Sequence, residues 1–279
     1  LLSFRASHIS LHGTANDYVY IAPFVVFWSK LLRKKSSLRK FAGNFNHYYA
    51  QAGLIKKKVI EYVLTNNDFN FFETKYLVNF FKTFNPNTFW FPNVREKNNT
   101  VRTKLFEKRF VFISQLYETK GVDEILQVSN LLPEGYIIDL YGPIKDEKYN
   151  NSHYFQPYKA TYRGALASSE VKNTLAGYDV LILASHYYPG EGYPGIVIEA
   201  LSIGKPVIVT NLESIREMVD EQCARFVKPQ SIEDLKNKIL SFNDSNYPEF
   251  SANALKCFDQ FDSEIQTTNF LNIIMKEKL

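Results

Sequence analysis

Two glutamates with seven residues between them carry the chemistry most open to reading in this chain: Glu191 and Glu199, in the run His186-Tyr-Tyr-Pro-Gly-Glu191-Gly-Tyr-Pro-Gly195-Ile-Val-Ile-Glu199. Glu191 falls in a glycine-rich loop, and Glu199 falls inside the helix expected to follow. The amides around Gly192, Tyr193 and Gly195 would open that helix, where unpaired N–H groups and the helix dipole favour an anion such as phosphate. Pro194 suits the first helical position, because the N–H it lacks would go unpaired there anyway. A carboxylate in the same loop cannot bind phosphate, so Glu191 must accept hydrogen bonds from other donors, and sugar hydroxyls fit.

Glu199 is surrounded in sequence by Ile196, Val197, Ile198, Ala200, Leu201 and Ile203, the pattern of a buried helix. A carboxylate there needs partners, since burial without them is costly. It lies about 6 Å beyond Gly195 at roughly 1.5 Å per residue, a distance suited to a ribose whose phosphate sits at the helix start. The alternative is a structural pairing with a backbone amide or a lysine.

The elements that must position these groups read as alternating strands and helices, which predicts an α/β protein with parallel sheets. Residues 7–11 read as a strand, followed by an apolar helix through residue 28 with a basic tail at residues 30–35. Residues 59–64 read as a second strand-like repeat. Pro86, Pro92 and the polar stretch 95–100 interrupt the pattern, so a domain boundary is expected near Asn93.

After it come a strand at 109–113, a helix at 122–131, a strand at 136–141 and a helix at 169–175. A strand at 179–184, a helix at 195–203 and a strand at 206–210 follow. The predicted domains are residues 1–93, residues 94–261, and a closing helix at 262–279 that crosses back.

A chain of 279 residues with 45% hydrophobic content can bury a core in each of two domains. Its net charge of +4 suits an anionic ligand or membrane surface without choosing between them. Cys223 and Cys257 form neither a disulfide framework nor a zinc cluster by spacing, which points to structural thiols in a reducing cytoplasm. No apolar run approaches the ~20 residues of a membrane span. The chain opens on Leu1 within apolar sequence and reads as a fragment lacking its beginning.

These residues carry a resemblance. The run from Glu191 to Glu199, followed by Ala200-Leu201, Gly204 and Pro206-Val207-Ile208, resembles the E-x7-E element of retaining glycosyltransferases of family four. Those proteins share the GT-B fold of two Rossmann-like domains facing a cleft, and here the first domain would be incomplete. The resemblance implies that Glu191 contacts the transferred sugar and acts in catalysis. It also implies that Gly192, Tyr193, Gly195 and Ile196 approach the sugar and diphosphate, and that Glu199 holds the ribose.

Lys120-Gly121 resembles the family's Lys-Gly element, whose lysine neutralises the leaving diphosphate. Gln115 stands where the family usually has an arginine. Arg163-Gly164 resembles the segment lining the base pocket. Leu11-His12-Gly13 resembles a loop that places a histidine, here His12, facing the reacting carbon, and residues 41–44 resemble another cleft loop.

The resemblance implies a nucleotide-sugar donor, a saccharide or lipid-linked acceptor, and bacterial surface-polysaccharide assembly. No cofactor is expected, and no metal, because the chain has no Asp-x-Asp pair to bridge a metal and diphosphate. Nucleic acid is not an expected partner. The basic clusters Arg33-Lys34-Lys35 and Lys56-Lys57-Lys58, near Phe27 and Trp28, allow peripheral contact with the inner face of the cell membrane.

Three rivals stand beside this reading. Gly190-x-Gly192-x-x-Gly195, with Glu213 downstream, also matches the dinucleotide fingerprint of an NAD(P)-dependent oxidoreductase. A non-catalytic nucleotide-sugar-binding fragment and a GT-B epimerase are the others.

Overall fold

The alternating pattern folds as two units, Leu1–Asn93 with Glu264–Leu279, and Val94–Ser263. The computed structural model describes residues 6–41, 43–97, 105–151, 153–186 and 192–275.

The first unit runs β1 (His8–Gly13), α1 (Ala15–Tyr20), α2 (Ala22–Leu31), β2 (Lys35–Lys40), α3 (Phe45–Gln51), α4 (Leu54–Asn66), β3 (Phe69–Phe72), α5 (Lys75–Phe81) and β4 (Thr88–Trp90). Its sheet is parallel, in the order β1-β2-β3-β4. One cluster of Tyr18, Val26, Phe45, Val63, Leu64, Phe72 and Phe81 forms the core, with the Phe72 and Phe81 rings stacked 4.9 Å apart.

Local chemistry explains where this unit departs from the sequence reading. The single helix expected through residue 28 is two, because Pro23 sits in the first turn of α2, where its missing N–H is tolerated but could not continue a helix from upstream. Residues 59–64 are helical within α4 and not a strand. Ile60, Val63 and Leu64 are its buried residues, spaced three and four apart as one helix face requires.

The strand β2 shares only Lys35 with the basic tail expected at residues 30–35. It is buried from Ser36 onward despite its polar sequence, because its polar groups find partners. The Ser36 amide donates to Asp68 at 2.8 Å, the Ser37 hydroxyl to Ser10 at 2.9 Å, and the Arg39 guanidinium to the Pro92 carbonyl at 2.6 Å.

The second unit holds β5 (Arg109–Ile113), α6 (Val122–Leu131), β6 (Ile137–Tyr141), β7 (Thr161–Tyr162), α7 (Val171–Ala176), β8 (Val180–Leu183), α8 (Gly195–Ser202), β9 (Val207–Thr210), α9 (Glu213–Arg216), β10 (Ala224–Val227), α10 (Ile232–Leu240) and α11 (Tyr247–Phe258). Its sheet is also parallel, in the order β10-β9-β8-β5-β6-β7. β8 and β9 are buried at every position, as continuous aliphatic strands covered on both faces should be. The strand order reverses between β5 and β8, and ligands of open α/β sheets bind beyond the carboxyl ends of the strands at such a point.

A last helix, α12 (Ser263–Met275), belongs with the first unit from Glu264 onward. There its Phe270 ring lies 4.8 Å from Phe71.

The cysteines correct the sequence reading: Cys223 and Cys257 are joined in a disulfide, not held as free thiols. They stand 34 positions apart in sequence, and only the fold brings the residue before β10 beside α11. Among the described residues, no helix is long and apolar enough to cross a membrane.

Candidate functional site

Of the sequence-predicted donor residues that the structure describes, Gln115, Lys120, Arg163, Gly164, Gly192 and Tyr193 sit on the connections that leave the carboxyl ends of β5, β7 and β8 in the second unit, and Gly195, Ile196 and Glu199 sit in α8. After β5, Gln115 is exposed and Lys120 is half-buried in a short 3-10 turn. Gly121 then caps α6 in the left-handed region, at φ 75°. A Cβ there would lie 2.2 Å from the Ala184 carbonyl oxygen, so the Lys120 turn packs against the end of β8 only because residue 121 has no side chain.

The link is reinforced by His186, whose amide donates to the Thr119 carbonyl at 2.8 Å. Its ring Nε2 lies 3.0 Å from Glu124 Oε1 in the first turn of α6. The His186–Glu124 pair was not foreseen, since neither residue stands in a motif of its own.

α8 opens at Gly195 with Pro194 as its cap residue, one position earlier than the sequence reading placed the proline. Gly192 and Ile196 are half-buried. Tyr193 is buried; its hydroxyl donates to Glu217 Oε2 at 2.5 Å, and its ring stands edge-on to Phe261 at 6.2 Å. Glu191 lies outside the described residues.

Glu199 is 18% exposed at its side chain and accepts from Arg95 Nε at 2.8 Å. The structural pairing weighed as the alternative is thus present, made by an arginine where a backbone amide or a lysine was considered. Arg95 had been read as part of a polar linker, and no spacing in the sequence connects residues 104 positions apart.

Arg163 donates through Nε to Asp139 Oδ1 at 3.0 Å, and the buried Asp139 also receives the Tyr178 hydroxyl at 2.6 Å. Burial, followed by the hydrogen bond to Asp139, pushes the Tyr178 hydroxyl far above the usual phenol range. Gly164 extends the pairing of β6 with β7, its carbonyl accepting the Gly142 amide at 2.9 Å. The space where its Cβ would project is open.

In the first unit His12 is near the end of β1, its Nε2 3.0 Å from the Ser10 hydroxyl and its ring 6.1 Å from Phe41. Burial, then the charge of Arg39, lowers its pKa, which favours the neutral imidazole. Arg39 stands opposite His12 in register and stacks on Phe91 at 4.2 Å. Beside it Lys40 is buried, and burial pulls its ammonium down to about 8 against the opposing pull of Glu73 and Asp17. Sequence reasoning did not single out this pair of cations, because Lys and Arg in a basic run read as a solvated face.

β8 ends at Leu183 and α8 begins at Gly195. The connection is too long for the tight turn of a dinucleotide fingerprint, and β8 does not open its sheet.

Comparison with solved structures gives the class of protein. HepE of Anabaena in complex with UDP superposes with a TM-score of 0.79 at 14% identity, covering 98% of this chain and 79% of that one. A TarM variant of S. aureus, solved with fondaparinux, α-GlcNAc-glycerol and UDP, gives 0.69 at 18% identity over 91% of this chain and 54% of TarM. The fold is that of the GT-B glycosyltransferases.

Residues 94–255 match the family described as glycosyl transferases group 1, and the chain belongs to that family. A Bacillus subtilis protein named as a teichuronic acid biosynthesis glycosyltransferase, TuaC, is 25% identical over 142 residues. The match covers half of this chain and spans about a third of that relative's length, 33%.

Proposed function

We propose that this chain carries the donor-binding half of a retaining glycosyltransferase of family four. It moves a hexose-type residue from a nucleoside-diphosphate sugar to a saccharide or lipid-linked acceptor in bacterial surface-polysaccharide assembly. The observation that carries the reading is the start of α8 at the switch point of a parallel sheet, with a carboxylate, Glu199, one turn inside it. Helix amides suit the diphosphate and the carboxylate suits the ribose hydroxyls, so one short helix can hold both parts of a nucleotide. UDP is the first donor nucleotide to test, because HepE and TarM were each solved with it.

In this reading Glu191 accepts from the sugar, and Gly192, Tyr193, Gly195 and Ile196 line the diphosphate and sugar. Gln115, Arg163 and Gly164 border the nucleotide, and His12 faces the reacting carbon. When the bond from the sugar C1 to the diphosphate oxygen breaks, negative charge grows on the leaving group, and the Lys120 ammonium stabilises it without a metal ion. Lys120→Ala is expected to weaken UDP binding about tenfold, the scale of one charge-assisted hydrogen bond, with EDTA leaving wild-type binding unchanged. Calorimetric titration checks both, and restoration of binding to chelated protein by Mg²⁺ or Mn²⁺ would refute the metal-free assignment.

A site on the inner face of the cell membrane fits the first unit. Phe24, Phe27, Trp28 and Leu31 of α2 are exposed beside the basic residues 33–35, and Leu54 and Ile55 are exposed next to Lys56, Lys57 and Lys58. Apolar side chains flanked by lysine and arginine suit an anionic lipid surface. Cosedimentation with vesicles containing anionic lipid, and none with neutral vesicles, is the expected result; equal partition into both, or into neither, would end the membrane assignment.

A further inference from the structure

Arg95 stands at the start of α8 and is held there from several sides. Its amide donates to the Phe261 carbonyl at 3.0 Å, and its carbonyl accepts the Ser263 amide at 3.0 Å, forming a short bridge with Asp262. Its Nη1 donates to the Val94 carbonyl at 2.9 Å, and its Nε to Glu199 at 2.8 Å. The third nitrogen, Nη2, lies 2.6 Å from the point where a Cβ on Gly195 would be. Glycine at the first residue of α8 therefore makes the room that the guanidinium occupies.

This is an unusual place for a cation, since the positive end of a helix dipole repels one. Glu199, paired with the guanidinium at 2.8 Å, offsets part of that repulsion. A ligand carrying more than one negative charge can meet both the guanidinium and the helix amides.

We propose that Arg95 is a donor-binding residue whose guanidinium, held against Glu199 at the start of α8, takes the diphosphate of a nucleoside-diphosphate sugar. The proposal rests on the donor site proposed above and adds a residue to it. Glu199 keeps Oε1 on Arg95 and turns Oε2 to the ribose, so the pair couples recognition of phosphate to recognition of sugar. The planar fork of arginine fits two phosphate oxygens at once, which lysine cannot match.

The test is calorimetric titration with UDP and with uridine, on wild type, R95Q, R95K, G195A and R95Q/G195A, with thermal melting to confirm folding. R95Q is expected to weaken UDP binding about ten- to hundredfold while changing uridine binding less than about threefold, with R95K in between. G195A displaces the flexible end of Arg95 and should also weaken UDP, and the double variant should bind UDP no more weakly than R95Q alone.

Equal losses for UDP and uridine in R95Q would overturn the proposal, because Arg95 would then act only by orienting Glu199. Unchanged UDP affinity in a folded R95Q or R95K would overturn it as well. If wild type binds neither UDP nor ADP nor GDP, the donor site itself falls and the Arg95 assignment falls with it.

Discussion

Replacing Glu199 with alanine is expected to weaken uridine binding roughly ten- to hundredfold, because the ribose hydroxyls lose a charged acceptor worth about 1.5 to 3 kcal/mol. The loss should be smaller for UDP than for uridine, since Arg95, released from its 2.8 Å contact with the carboxylate, is then free to turn wholly toward phosphate. Glu191→Ala should behave differently. UDP affinity should stay within about threefold of wild type, while affinity for a UDP-sugar falls about tenfold, the scale of a lost charged hydrogen bond to sugar. Parallel titrations of both variants with uridine, UDP and UDP-glucose check the division of labour, and identical losses across all three ligands in both variants would contradict it.

Gly121→Ala should be among the damaging single methyls in the second unit. The residue adopts φ 75°, which costs an alanine roughly 1 to 3 kcal/mol, and the added Cβ would meet the Ala184 carbonyl oxygen at 2.2 Å. That neighbour is backbone at the end of β8 and cannot swing aside as a side chain would, so overpacking adds a further ~1 to 3 kcal/mol. The Lys120 turn and the end of β8 would be pushed apart. Denaturant unfolding should show a stability loss of about 2 to 6 kcal/mol, with UDP binding lost even where the protein stays folded. An unfolding midpoint equal to wild type would mean that the close approach of α6 to β8 is not required.

The contrast between the two units shows what a sequence conveys. In the second, β8 and β9 are aliphatic runs with strong local preference, and the α8 run has glycine and proline at its start. Local propensity, turn chemistry and burial agree there, so these elements could be read directly. In the first, β2 is a strand of Lys-Ser-Ser-Leu-Arg-Lys, and nothing local makes that sequence a buried strand. Asp68, Ser10 and the Pro92 carbonyl satisfy its polar groups, and these partners come from other elements. A polar strand of this kind is decided by what the rest of the chain places beside it.

The same division runs through the site. The helix bearing Glu199 and the glycine turn after Lys120 were legible because helix starts, glycine turns and a charge among aliphatic residues leave marks within a few positions. The pairing of Arg95 with Glu199, of His186 with Glu124 and of Cys223 with Cys257 left none, for each joins positions far apart in the chain. Sequence by itself determined the parallel α/β architecture and the helix that bears Glu199. The tertiary structure decided which charge faces Glu199, because hydrogen bonds and ion pairs act over a few ångströms of space and take no account of separation along the chain.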